Sequence, residues 1–364
     1  MQYSLMFFSS EDRADASDKY ALLKRAAQWA DDREFRAIWT PERHFHSFGG
    51  LFPNPALMAC ALATMTKRIG LRAGSLISPL HDVLRIAEEW SVADNLSGGR
   101  VAVSFGAGWN AGDFVFFPER YQNRQDLMYE QIELVGRLWR GHTLSCKDPS
   151  GKAIEVAIHP RPLQPELPLW ITSSGSVHTF IRAGAIGANI LTHMLGQDIG
   201  ALADKIRLYR QSRLEHGFDP DFGVVSLMLH TFVGTDSDEV YRTVRGPLRE
   251  YLRSAVSLER SAAAAGGVIS GGKVLRDAGA NGQHEDEMLE LAFERYFNTA
   301  AFMGTAETCC ETACRYEEIG VNEIACLIDF GVDEPAIWKS LHHLEQVASP
   351  SVAARHDDFT CTLA

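Results

Sequence analysis

Residues 39–55, WTPERHFHSFGGLFPNP, bring two histidines, a Glu–Arg pair and three phenylalanines into one short stretch. An imidazole with its ordinary pKa near 6.5 can take up or return a proton at neutral pH. The Glu42–Arg43 pair adds further titratable groups, and Phe45, Phe48 and Phe52 could keep water from the reacting atoms. The stretch follows an apolar run ending at Ile38 and Trp39 and precedes a helical run starting near Ala56, so it joins a strand to a helix. Either histidine of the stretch could carry that proton. His46 points the other way if the segment is extended, which suits a structural role. The same composition also fits an aromatic loop packed on its own scaffold with incidental histidines.

A second chemistry is suggested by Ser173, Ser174, Gly175 and Ser176, which precede a helical run. Free N–H groups and hydroxyls at a helix N-terminus suit a phosphate, although a serine there often does no more than cap. Gly74, Ser75, Gly106, Ala107 and Gly108 follow two other strands and leave room for a flat group against the backbone. Together these features fit a planar, phosphorylated cofactor.

Eight apolar runs must position these loops: Tyr3 to Phe8, Phe35 to Trp39, Ile69 to Ser75, Val101 to Phe105, Leu169 to Thr172, Ala188 to Thr192, Val224 to Val233 and Glu323 to Asp329. Most are continuously apolar rather than alternating, as in parallel strands covered on both faces. Helical patterns alternate with them, and one starts with Asn54 as N-cap and Pro55 at the first helical position. Eight strand–helix units predict an α/β (β/α)8 TIM barrel in a single domain over residues 1–348. A doubly wound sheet would carry a Gly-rich turn after the first strand, where Ser9, Ser10 and Glu11 stand instead. Insertions are expected over about 141–168, with five prolines and a small hairpin, and over about 255–297, around an Ala/Gly-rich centre. Residues 349–364 read as a flexible tail.

In such a barrel the chemistry sits at the carboxyl ends of the strands. The candidate positions are therefore Phe7 and Phe8, Glu42 to His46, Gly74 and Ser75, His81, Gly106 to Asn110, Ser173 to Ser176, Thr192 and His193, and Leu327 to Phe330.

Bulk composition removes several classes. Charges of 35 − 47 = −12 argue against binding a nucleic-acid backbone. No apolar run approaches the roughly 20 residues of a membrane span, and the start MQYSLMFFSSEDRAD has no basic leader, so a cytoplasmic location is expected. Seven scattered cysteines argue against a disulfide framework, and Cys309, Cys310 and Cys314 lack the spaced doublets of a zinc site.

The loop motif, the run RAGSLISPLHDVLRIAEEWSVADNLSGGRVAVSFGAGW, the run ANILTHMLGQ and the segments GTAETC and GVNEIACLIDFGVD resemble the bacterial-luciferase-like flavin monooxygenases, in particular the natural-product-biosynthesis branch. The resemblance covers Tyr3 to about Val347. It implies a barrel that binds FMN in its reduced form, FMNH2, reacts it with O2 to a C4a-hydroperoxide, and inserts one oxygen atom into a natural-product intermediate, free or tethered to a carrier protein. It assigns His44 as the catalytic residue and Gly74-Ser75 as a non-proline cis peptide under the ring. Phe7, Gly106, Trp109 and Asn110 would also line the cofactor, and Ser173, Ser174, Gly175 and Ser176 would hold its phosphate. Asn110 stands where much of that branch has histidine, and Gly106 where luciferase has cysteine. No nicotinamide fingerprint is present, so a separate NAD(P)H:flavin reductase is expected as partner, and the family commonly forms homodimers. The rival readings are a deazaflavin-dependent dehydrogenase on the same barrel, a metal-dependent hydrolase using His44, His46, His81, His193 and Asp329, and a non-catalytic flavin-binding or partner-binding protein.

Overall fold

The computed structural model describes residues 1–11, 17–173, 175–264 and 285–348. Its strands are β1 (Gln2–Met6), β2 (Ala37–Thr40), β3 (Gly70–Ile77), β4 (Val101–Gly106), β5 (Leu144–Lys147), β6 (Ala153–Val156), β7 (Leu169–Thr172), β8 (Asn189–His193), β9 (Val225–Gly234), β10 (Phe302–Thr305) and β11 (Glu323–Leu327). Eight of them, β1-β2-β3-β4-β7-β8-β9-β11, pair in parallel in that order, and β11 returns to β1 to close the barrel. These are the eight expected runs. The strand not anticipated is β10, which pairs with residues 231–234 of β9 beyond the reach of β11. Its four residues lie between two helices and carry no periodicity to betray them.

The outer ring contains α1 (Ala21–Asp31), α2 (Pro55–Ala63), α3 (Val83–Ser97), α4 (Arg124–Trp139), α5 (Val177–Ala185), α6 (Ile199–Glu215), α7 (Ser237–Ala264), α8 (Glu285–Thr299), α9 (Ala306–Glu318) and α10 (Glu334–Ala348). Their starts follow local chemistry. Asn54, Asp82, Ser176, Asp198 and Thr305 each accept a backbone N–H of the first turn, satisfying donors the helix cannot pair itself. At the end of α3, Gly98 takes the left-handed conformation (φ 71°) that stops a helix. The expected hairpin within 141–168 is β5 with β6, antiparallel and turned by Asp148, whose carboxylate accepts from the N–H groups of Ser150 and Lys152. The flanks of the expected 255–297 insertion are helical, in α7 and α8, with Arg253 bonded to Asp286 across them. Residues 265–284 and the tail 349–364 lie outside the described residues.

Alternation along the strands sends every second side chain into the lumen. Its floor is built on Glu323, fully buried. That carboxylate accepts from Ser4 (2.5 Å), Trp39 (3.0 Å), Arg72 (2.8 Å) and Ser226 (3.2 Å), and Trp170 donates in turn to Ser226. Arg72 lies between the rings of Trp39 and Trp170. Burial alone would push the Glu323 carboxyl up, but Arg72 and the hydrogen bonds outweigh it and hold it below its ordinary value. Residues from β1, β2, β3 and β9 thus meet at one carboxylate of β11, with β7 joined through Ser226, which ties these strands into one register.

Removing one partner of a buried ion pair strands the other charge, a loss of about 3–5 kcal/mol. Arg72→Leu is expected to lower the stability measured by urea unfolding by about that amount. The double variant Arg72→Leu/Glu323→Gln should recover part of it; equal loss in both would show that the two side chains are not coupled.

Candidate active site

The loop that leaves β2 is held by Glu42, whose side chain is wholly buried. Its Oε1 accepts from Nε2 of His44 (2.8 Å) and from Nε2 of His81 (2.6 Å), while Oε2 accepts from the Ile77 N–H (2.6 Å). Burial pushes this carboxyl up, but the two imidazole bonds and the amide outweigh it and keep it ionised, below its ordinary value. His81 shows the converse. Burial pulls its pKa down, the bond and charge of Glu42 push it up, and the net shift is upward. An ionised carboxylate only accepts, so both Nε2 atoms carry hydrogen. A neutral His44 then presents an unprotonated Nδ1, which has no hydrogen bond to the described protein. The His44 ring packs against Phe116 (5.2 Å) and Phe45 (5.5 Å) at the rim.

Beside it, Arg43 is buried against Asp113 (3.5 Å) and lies over the rings of Trp109 and Phe8. Burial pushes Asp113 up further than Arg43 and Asn110 pull it down. The side chain of Asn110 bonds within its own loop: Nδ2 donates to Asp113 (2.8 Å) and Oδ1 accepts from the Gly112 N–H (3.1 Å). In this structure it shapes the loop after β4. His46 accepts the Phe48 N–H at Nδ1 (3.1 Å), a bond within the turn.

Between these loops lies a bed of backbone. The Gly74–Ser75 peptide is cis, as the resemblance implied, and the β3–β4 register shifts beside it. A Cβ on Gly74 would stand 3.0 Å from the Trp39 ring and 3.3 Å from Met6, and one on Gly106 would stand 2.9 Å from the Ser75 hydroxyl. Gly108, at φ 80°, has no room for a side chain against Ile77 and Phe114.

Across the mouth, Ser176 caps α5 through the Thr179 N–H (3.4 Å), and Ser173 accepts the Gly175 N–H (3.3 Å). Ser174, expected in the same loop, lies outside the described residues. Gly175 has φ 115°, and a Cβ there would lie 3.4 Å from Lys205 Nζ. Lys205 donates to Gln197 Oε1 (2.7 Å), and Gln197 in turn donates to Thr192 (3.3 Å). Burial lowers the pKa of Lys205 despite Asp198. Sequence reasoning missed this ammonium because it comes from the middle of α6. Gln197 was legible only as part of the loop after β8.

The third side of the mouth is aromatic. Phe8 packs on Phe48 and Tyr251, and its N–H donates to Asp329, which also accepts from Ser9. Burial drives the Asp329 carboxyl up to about 6 against those bonds. Phe7 does not belong here. Ser4 bonds Glu323 in the lumen, so alternation turns Phe7 outward into the packed layer between barrel and helices, and Phe8 takes the position at the mouth. Of the three loop phenylalanines, Phe48 and Phe52 are buried and Phe45 is exposed at φ 55°, against Phe116. Among the described residues, no three His, Cys, Asp or Glu side chains gather to hold a metal ion.

The Glu42–His81 pair couples stability to pH. His81, held above its ordinary 6.5, contributes fully below that value and loses its contribution as pH rises through its folded-state pKa. Glu42, held below its ordinary 4.5, contributes above that value and loses it as pH falls through its own. The difference in Tm between the natural chain and His81→Gln is therefore expected to be widest between about pH 5 and 6.5, roughly 2–4 °C, and to shrink towards pH 9. A difference that grows with pH would contradict this assignment.

With this geometry in place, the chain can be set beside known proteins. The family model of luciferase-like monooxygenases matches residues 1–323. The chain is 26% identical over 249 residues to the oxygenase component of a flavin-dependent trigonelline monooxygenase from Acinetobacter baylyi, a match covering 66% of each chain. It is 25% identical over 207 residues to the alkanal monooxygenase alpha chain of the Kryptophanaron alfredi symbiont, covering 56% of this chain and 57% of that one. Among solved structures, the monooxygenase RslO1 from Streptomyces bottropensis superposes with a TM-score of 0.77 at 19% identity, covering 97% of this chain and 100% of that one. The oxygenating constituent of 3,6-diketocamphane monooxygenase from Pseudomonas putida, in complex with FMN, gives 0.75 at 18% identity, covering 96% and 98%. At these identities the structural likeness speaks for the fold. On the family match, which takes in almost nine-tenths of its length, the chain belongs to the luciferase-like monooxygenases.

Proposed function

We propose that this chain is the oxygenase component of a two-component flavin monooxygenase, which uses reduced FMN and O2 to insert one oxygen atom into a small natural-product intermediate. The observation that carries the reading is His44 Nδ1, an imidazole nitrogen left as acceptor by the Glu42 bond, at the rim of a bed made of Gly74, Ser75 and Gly106. The residues present fit the cofactor. Gly74, Gly106 and Gly108 leave the backbone beside His44 without side chains, as a flat ring lying on peptide planes requires, and Lys205, close to Gly175 at the start of α5, offers a cation to a phosphate.

When bound, reduced flavin supplies the electrons that activate O2. The work of the protein is positional. His44 Nδ1 accepts a proton from the reacting group, and Glu42 stabilises the imidazolium that results. Phe8, Phe48 and Tyr251 exclude water from that side of the mouth. Arg43 and Asp113 hold the β4 loop against the bed. A separate flavin reductase as partner, a homodimer, a cytoplasmic location and a carrier-tethered substrate all belong to this proposal. Among the described residues no helix is long and apolar enough to cross a membrane.

His44→Ala is expected to leave FMN affinity unchanged while product formed per O2 consumed falls by roughly 100-fold, the usual contribution of a positioned acid–base group. Undiminished coupling would remove His44 from the mechanism. Lys205→Met should weaken FMN binding about ten-fold, the loss of one charge-assisted hydrogen bond, and leave riboflavin, which lacks the phosphate, unaffected. Anaerobic titration with reduced FMN and with a reduced deazaflavin separates this reading from the dehydrogenase one; tighter binding of the deazaflavin would overturn it.

A further inference from the structure

Two imidazoles in the upper lumen each have a ring nitrogen with no hydrogen-bond partner among the described residues. The β9–β11 register runs without interruption from Ser226 opposite Glu323 to His230 opposite Leu327. Ser226 faces the lumen, where it bonds Glu323, so alternation turns Met228 and His230 inward as well. His193, at the end of β8, pairs in register with Met228. Leu191 reaches Gly74 from the same strand, so alternation turns His193 into the lumen too, on the strand adjoining that of His230.

The His230 ring is completely buried and stands edge-on to Tyr251 (4.4 Å), Tyr296 (5.2 Å) and Phe330 (5.6 Å). Its Nδ1 is 2.8 Å from the Tyr296 hydroxyl. A phenol is a better proton donor than a neutral imidazole, so Tyr296 donates to Nδ1 and the hydrogen of the ring sits on Nε2. Among the described residues that Nε2 has no acceptor, and Nδ1 of His193 has no hydrogen-bond partner. Buried polar groups are almost always paired in a finished structure. Burial holds both rings uncharged at neutral pH, with pKa values of about 3 for His230 and about 4 for His193. The floor below them is different, since Arg72 and Glu323 satisfy one another there.

We propose that His230 Nε2–H, held in that tautomer by Tyr296, is the point at which the lumen recognises a neutral carbonyl oxygen of the substrate, with His193 on the adjoining strand. A carboxylate fits less well, because the arginine of the lumen, Arg72, is already paired with Glu323. This deepens the reading of the mouth as an oxygenase site and rests on it for the identity of the bound molecule as substrate. His230 is a specificity residue and Tyr296 a positioning residue; neither is assigned a proton-transfer step.

The test uses the full chain without flavin and three probes of similar shape: acetophenone, ethylbenzene and benzoate. Binding is measured by calorimetry, and the tautomer of His230 by nitrogen-15 NMR of histidine-labelled protein. Acetophenone is expected to bind about ten-fold tighter than ethylbenzene or benzoate, the worth of one hydrogen bond, and to shift the Nε2–H signal. In His230→Phe that preference should vanish. In Tyr296→Phe it should weaken as the Nδ1–H tautomer appears. Should His230→Phe fail to fold, the tautomer in the natural chain and the Tyr296→Phe comparison still decide the matter. The proposal is overturned by equal affinities, by preference for benzoate, by no binding of acetophenone, by an Nδ1–H tautomer in the natural chain, or by a preference that survives His230→Phe. FMN titration of the same proteins separates the two levels: carbonyl preference without FMN binding would sink the flavin reading alone.

Discussion

The mouth of this barrel depends on a carboxylate that never meets solvent. Glu42 joins the exit of β2 to the exit of β3 through the Ile77 N–H, and it does so while holding His44 and His81. Isolated in a low-dielectric site, an ionised carboxyl would be forced up in pKa until it took a proton. Three donors arriving together reverse that outcome. The loop therefore has one arrangement in which Glu42 is satisfied, and that arrangement decides which nitrogen of His44 is occupied and which is left for chemistry.

The contrast between floor and mouth shows how the same fold serves stability at one end and reaction at the other. At the floor, Glu323 receives donors from four strands, and the indoles of Trp39 and Trp170 flank its arginine partner. Polar groups there are matched within the protein, which closes that end and sets the strand register. At the mouth, glycines replace side chains, an ammonium is held close to a helix N-terminus, and two imidazole nitrogens have no partner among the described residues. Groups left unsatisfied by their own chain are the ones available to a bound molecule.

Much of the scaffold could be read before any contact was known. Eight apolar runs, most of them continuous, became the eight barrel strands, because burial on both faces leaves a compositional trace along a strand. Asn54-Pro55 announced the start of α2 through chemistry confined to a few residues. What failed was short or depended on phase. β10 has four residues and no pattern, and Phe7 was exchanged with Phe8 because an apolar pair at a strand end does not say which member points inward. The loop residues His44, Gly74, Ser75 and Gly106 were legible as positions at strand ends, and the structure brings them to one side of one mouth.

The amino-acid sequence alone determined the eight barrel strands, their order and the loops that must hold the chemistry, since helix caps, strand runs and turns are settled by neighbours a few residues apart. Tertiary structure decided which distant groups meet: Glu42 with His81, Lys205 with the backbone at Gly175, His230 with Tyr296. These partners are separated by 39, 30 and 66 positions. No local pattern encodes such pairings, because hydrogen bonding and desolvation act through space, and only closure of the barrel brings those atoms within their reach.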